Sequence, residues 1–190
     1  MPRVGLTRDR VVEEAAAMVA ELGLAQLTLA GLAGRLGVKQ PSLYKHIASI
    51  AELRRGVAIL ALDDLGGTLL RAAAGRSGAD AVVGMSRAYR DWALENPALY
   101  EASQLMPTAG DDEHEAATLA VVETVANVLA AYGLDGDDSV DAIRAFRSML
   151  HGFVTFEAMG SFAMSADVNR SFERMVHGFT IALAQWKTPS

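Results

Sequence analysis

Apolar residues return at helical spacing along nearly the whole chain, and the period-two alternation of a half-buried strand is missing. Val12, Ala15, Ala16, Val19 and Leu22 form one face of a first helix, which Thr7 can cap and Gly23 can end. A second, short helix follows Thr28, with Leu29, Leu32, Ala33 and Leu36 at helical spacing and Gly37 as its stop. A third opens with Pro41 in its first turn, where the missing N–H costs nothing, and runs through Tyr44 to about Ile47. Leu43 and Ile47 lie four apart and are expected to face inward. Ser49 can cap a fourth helix, with Leu53, Val57, Leu60 and Leu65 on its inner side.

The remaining two thirds continue in the same way. The Gly-Gly pair at 66–67 and "GRSG" at 75–78 punctuate the pattern. A helix is predicted from about Asp80 to Glu95, stopped by Asn96-Pro97, then a short one between two prolines. A long helix with an acidic first turn follows, which suits the positive end of a helix dipole. Two more are predicted, from about Ser139 to Gly160 and from about Ala166 to Trp186. The expected fold class is all-α, with no internal repeat.

Composition narrows the function classes. Hydrophobic residues make up 51% of 190, enough for a real core. With no cysteine, disulfides and thiolate metal sites are excluded. No run of about 18 apolar residues stands out as a membrane span. "MPRVGLTRDR" has no apolar stretch behind it, unlike a secretory signal. A cytoplasmic location is therefore expected. The net charge of −6 hides an asymmetry: residues 1–56 hold eight Lys/Arg and five Asp/Glu, a net +3, against −9 for the rest. A small basic module on a large acidic body suggests a polyanionic partner for the first part only.

Two short helices joined at Gly37 have the spacing of a helix-turn-helix, whose first helix braces the phosphate backbone and whose second enters the major groove. The residues of the second suit that task. Gln40 can pair in a bidentate way with adenine and Pro41 can meet a thymine methyl. Ser42, Tyr44 and His46 can reach phosphates, and Lys39 and Lys45 add charge that ignores sequence.

The wording is more specific than the shape. "LTLAGLAGRLGVKQPSLYKHIASIAEL" resembles the DNA-binding domain of the tetracycline-repressor (TetR) family of bacterial transcription regulators. Leu36-Gly37-Val38, Leu43-Tyr44, His46 and the capping Ser49 stand at that family's places, and Gln40-Pro41-Ser42 looks like its founding branch. The resemblance covers about residues 7–56. It implies that Thr28, Tyr44 and His46 meet phosphates and that Gln40, Pro41 and Ser42 read bases. Two departures remove positive charge: Ala30 and Gly31 stand where many members carry Arg or Lys, and Ile50 where many carry Lys. Arg35, Lys39 and Lys45 are the cations expected to compensate. The resemblance further implies a division at 1–52 for the DNA-binding domain and 53–190 for a helical ligand-binding and dimerisation domain.

For the body, the resemblance implies a homodimer through the last two helices, release from a palindromic double-stranded DNA operator by a small-molecule effector, and no cofactor. Phe172, Met175, Val176, Phe179 and Leu183 form one stripe. Ile143, Phe146, Met149, Leu150 and Phe153 form another, with Gly152 and Gly160 allowing close approach. "LHGFVTFEAMGSF" also resembles the C-terminal region of a subgroup named for Trp, His and Gly. Met85, Tyr89, Trp92, Tyr100, Met106, Phe146 and Met149 are the candidate ligand-binding residues, large apolar or amphipathic side chains that equally suit plain core. "DDEHE" at 111–115 clusters carboxylates with His114 and reads either as a cation site or as a solvated acidic helix start, the latter preferred. No phosphate loop, nucleophile elbow or paired-histidine zinc motif is present, so no enzyme is expected. The alternative function is a helical ligand-binding or protein-interaction module without DNA binding, favoured by Ala30, Gly31 and Ile50.

Overall fold

The structure, a computed structural model, describes residues 6–186. Residues 1–5, the start of the segment read above as lacking a secretory core, lie outside the described residues. The fold is all-helical: α1 (Arg8–Leu22), α2 (Leu29–Leu36), α3 (Gln40–Leu43), α4 (Ile50–Ala73), α5 (Gly78–Glu95), α6 (Pro97–Ser103), α7 (Asp112–Leu129), α8 (Gly136–Ala158) and α9 (Val168–Ala184). Local chemistry sets the ends. Thr7 accepts the Arg10 N–H at 3.3 Å, and Asp167 the Arg170 N–H at 2.6 Å, each at a helix start.

Two compact units account for these helices. The first comprises Met1–Asp64 with Asn96–Thr118, and the second Leu65–Glu95 with Leu119–Ser190. The core of the first is built from Val11, Ala15, Met18 and Val19 of α1, Leu32 of α2, Leu43, Ile47, Leu53 and Val57, with Ala102 of α6. In the second, α5 packs on α8 and α9. Val82, Met85, Phe146, Leu150, Phe172, Val176 and Leu183 are buried there. Arg90 pairs with Glu157, donates to Asn169 at 2.8 Å, and lies 4.8 Å from the centroid of the Phe172 ring. A cation over a ring face, also hydrogen-bonded to a carboxylate, ties three helices together.

Several expectations are corrected. Gly66-Gly67 does not interrupt α4, which runs on to Ala73. Buried Leu65 and Leu69 anchor this stretch, and a Cβ on Gly66 would meet the Val121 side chain at 3.4 Å. Leu22 and Leu60 point outward, because the inner stripes run through Val11, Ala15 and Met18 in α1 and through Leu53, Val57 and Ile59 in α4. Ile143, Met149 and Met175 are half-buried. Gly160 is a turn residue at φ +65°, past the end of α8, so backbone conformation and not close approach explains it. A Cβ on Gly152 would meet nothing within 4 Å in this chain.

Within Asp112–Tyr132 the most apolar run of 18 residues has a mean hydropathy of 1.2, so by length and composition one helix among the described residues does reach the range of a membrane span. Only 17% of that run is buried, and the whole stretch opens on Asp112, Glu113 and Glu115 and carries Glu123, carboxylates that are costly in hydrocarbon.

Candidate nucleic-acid interface

The turn between α2 and α3 follows from one residue. Gly37 takes φ +65°, ψ 30°, a left-handed conformation that a Cβ disfavours. The Val38 N–H then reaches back to Ala33 O at 3.0 Å, closing the end of α2 in a Schellman pattern. At the other end Thr28 Oγ1 accepts the Gly31 N–H at 3.1 Å. Its hydroxyl proton stays available to an outside acceptor such as a phosphate.

The third helix is shorter than predicted. Its α-helical part is Gln40–Leu43, and residues 44–46 continue as turns. The His46 N–H bonds Leu43 O three residues back at 2.8 Å, so the final turn is tightened. Leu43 and Ile47 are buried as expected and fix this segment to the core of its unit. That leaves Lys39, Gln40, Pro41, Tyr44 and Lys45 exposed, with Ser42 and His46 half-buried. Tyr44 keeps 53% of its surface open. Ser49 Oγ accepts the Glu52 N–H at 3.1 Å while Glu52 accepts the Ala48 N–H at 2.6 Å, a reciprocal cap that fixes the start of α4 beside the reading segment.

The charge of this region is more localised than the sequence shows. Arg35 does not supply the reading face. It donates from Nε to Glu14 at 2.7 Å and in fork geometry to Glu21 at 2.6 and 2.9 Å. The hydrogen bond from Arg35 in turn holds the Glu21 carboxyl below its ordinary range. Arg55 likewise faces Asp111 and Glu113, and Arg8 lies near Glu52 and Glu113. Among the described residues 6–56, the cations outside such ion pairs are Arg10, Lys39, Lys45 and Arg54, two of them on the reading segment.

The departures at Gly31 and Ile50 have packing reasons. A Cβ on Gly31 would lie 2.8 Å from Met18 Cε and 3.0 Å from Thr28 Oγ1. Ile50 packs against the core of its unit. Ala30 is exposed and shows no such constraint. Sequence spacing alone could not reveal the Met18 contact, because it joins two helices.

Of the candidate ligand-binding residues, Met85, Tyr89, Trp92 and Phe146 are buried and Met149 half-buried in the unit of α5, α8 and α9. Tyr100, buried, and Met106, 73% exposed, belong to the other unit. In the acidic segment, Asp111 accepts the His114 N–H at 3.1 Å and caps α7, and its carboxylate is clamped by Arg55. Among the described residues no group of three or more His, Cys, Asp or Glu side chains is placed to hold a metal ion.

Comparison with known proteins bears on these features. The family model described as "Tetracyclin repressor-like, C-terminal domain" matches residues 82–179. The chain is 44% identical over 156 residues to the uncharacterized HTH-type transcriptional regulator Rv0681 of Mycobacterium tuberculosis, covering 82% of this chain and 72% of that protein. It is 32% identical over 168 residues to the uncharacterized HTH-type regulator YobS of Bacillus subtilis, covering 88% and 87%. The crystal structure of BioQ with its natural double-stranded DNA operator has the same fold, at 22% identity and a TM-score of 0.68, covering 95% of this chain and 99% of that one.

Proposed function

The chain belongs to the tetracycline-repressor-like family of helix-turn-helix, DNA-binding transcription regulators, and we propose that it is a homodimeric repressor released from a palindromic operator by a small hydrophobic molecule. The observation that carries this reading is the division of one short segment. Leu43 and Ile47 are locked into the core, while Lys39, Gln40, Pro41, Tyr44 and Lys45 stand open.

In this reading Gln40, Pro41 and Ser42 meet base edges, and Thr28, Lys39, Tyr44, Lys45, His46 and Ser49 meet phosphates. The DNA-binding domain is 1–52, and 53–190 binds effector and dimerises. Exposed Phe156, Met159 and Ile181, with the open face at Gly152, support pairing through α8 and α9. A two-fold dimer requires a pseudo-palindromic site. Met85, Tyr89, Trp92, Phe146 and Met149 are the proposed effector-binding residues, and the protein works in the cytoplasm. Effector and DNA then weaken each other by the same factor, because each selects a different state.

A gel-shift assay with the DNA flanking the protein's own coding sequence tests the reading. A sharp shift that depends on Tyr44 supports it. A shift equally strong with unrelated DNA, or none, rejects it.

A further inference from the structure

Within the first unit lies a cleft of about 370 Å³ between the start of α4 and the segment that leads from α6 into α7. Its volume falls in the range of small-molecule sites. Its charged groups do not all satisfy one another. Glu52 is taken up by the Ala48 N–H and lies 3.5 Å from Arg8 Nε. Asp111 and Arg55 hold each other in fork geometry, 2.5 Å on both arms. Arg54 is left with no ion pair, and its Nε is buried without a hydrogen-bond partner among the described residues. His114, 2% exposed, also lines the cleft, and its Nε2 has no partner either.

Each such buried group without a partner is unfavourable, a cost that an occupant offering an acceptor would offset. Arg54 is the charged lining residue that stands outside the ion pairs of Arg8 and Arg55 with Glu52, Asp111 and Glu113, and it is always protonated. The rest of the lining is Ala51, Leu105 and Met106 with the hydroxyl-bearing Thr108. Leu105 and Met106 are exposed large side chains that an occupant's hydrocarbon would cover.

We propose that this cleft binds a small monocarboxylate with a short apolar chain, its carboxylate on Arg54 and His114 and its chain on Ala51, Leu105 and Met106. The site is separate from the effector-binding residues proposed around α5 and α8, and its binding does not depend on DNA. Any effect of the occupant on the cap at Glu52 and Ser49, and so on the reading segment, rests on the DNA-binding reading.

Isothermal titration of the full chain with hexanoate, against hexanamide as the neutral isostere, tests the site without DNA. Hexanoate is expected to bind saturably. Hexanamide, and hexanoate with Arg54→Gln, are expected to bind at least about tenfold more weakly, the loss of one charge-assisted contact. Ala51→Phe starts from an exposed position, so folding is retained while the ring fills the cleft and binding is lost. Arg144→Gln, which removes an exposed cation in the other unit, is expected to change nothing. Equal binding of acid and amide, full binding by Arg54→Gln or Ala51→Phe, or no saturable binding by the unaltered chain overturns the proposal. A failed gel shift leaves these outcomes untouched.

Discussion

Gly56 lies against both methyl groups of Val12, so close that a Cβ on Gly56 would sit 2.9 Å from each. This is where α4 crosses α1. An alanine in a helix interior normally gains about 1 kcal/mol over glycine. Here the neighbour is β-branched and stiff, so the sign reverses. Gly56→Ala is expected to destabilise the fold by about 1–3 kcal/mol in urea unfolding. Val12→Ala in the same chain should restore part of the loss, with a coupling of about 0.5–3 kcal/mol. Simple additivity of the two changes would show that the helices do not touch there.

The pairing of Arg55 with Asp111 makes a prediction about acid. The hydrogen bonds from Arg55, joined by the His114 backbone N–H, bring the Asp111 carboxyl down to about 2 despite its burial. Its ordinary value is about 3.9. A group depressed on folding stabilises the fold above its unfolded value and loses that contribution as pH falls towards its folded one. Stability should therefore drop between about pH 4 and pH 2, and Asp111→Asn should flatten that part of the profile. Denaturant midpoints measured through this window for both chains check it. An identical pH profile in the variant would remove Asp111 from the account.

Tyr44 is predicted to matter for DNA and hardly at all for folding. Because the ring is exposed, Tyr44→Ala should change stability by no more than about 0.5 kcal/mol. Operator affinity should fall by about tenfold or more, and Tyr44→Phe should show most of that loss if the hydroxyl bonds a phosphate. Fluorescence anisotropy with labelled operator measures both. Normal binding by Tyr44→Ala would show that this segment does not read DNA.

Adding charge back gives the opposite effect. Ala30→Arg at an exposed position should strengthen operator binding and steepen the log-affinity against log-salt slope by about 0.9. Gly31→Arg should be the poorer choice, because Met18 and Thr28 must move to admit it. Arg35→Gln should leave the salt slope unchanged, since its charge is already committed to Glu14 and Glu21. A shallower slope in Arg35→Gln would show that this arginine leaves α1 for a phosphate when DNA binds.

Local chemistry along the chain determined the helices, their caps at Thr7, Thr28 and Ser49, the turn at Gly37 and the inward pair Leu43 and Ile47. Each depends on residues at most a few positions apart, so spacing and side-chain type suffice. Tertiary structure decided what depends on a second helix. It took Arg35 off the expected reading face, because Glu14 and Glu21 lie on a helix that the local pattern cannot orient. It ran α4 through Gly66-Gly67, because packing outweighs the weak helix preference of glycine. It also brought Arg54 and His114, sixty positions apart, to one cleft. Fold and family were legible because they rest on periodicity and short motifs, whereas the state of each charge was set by neighbours that only packing brings together.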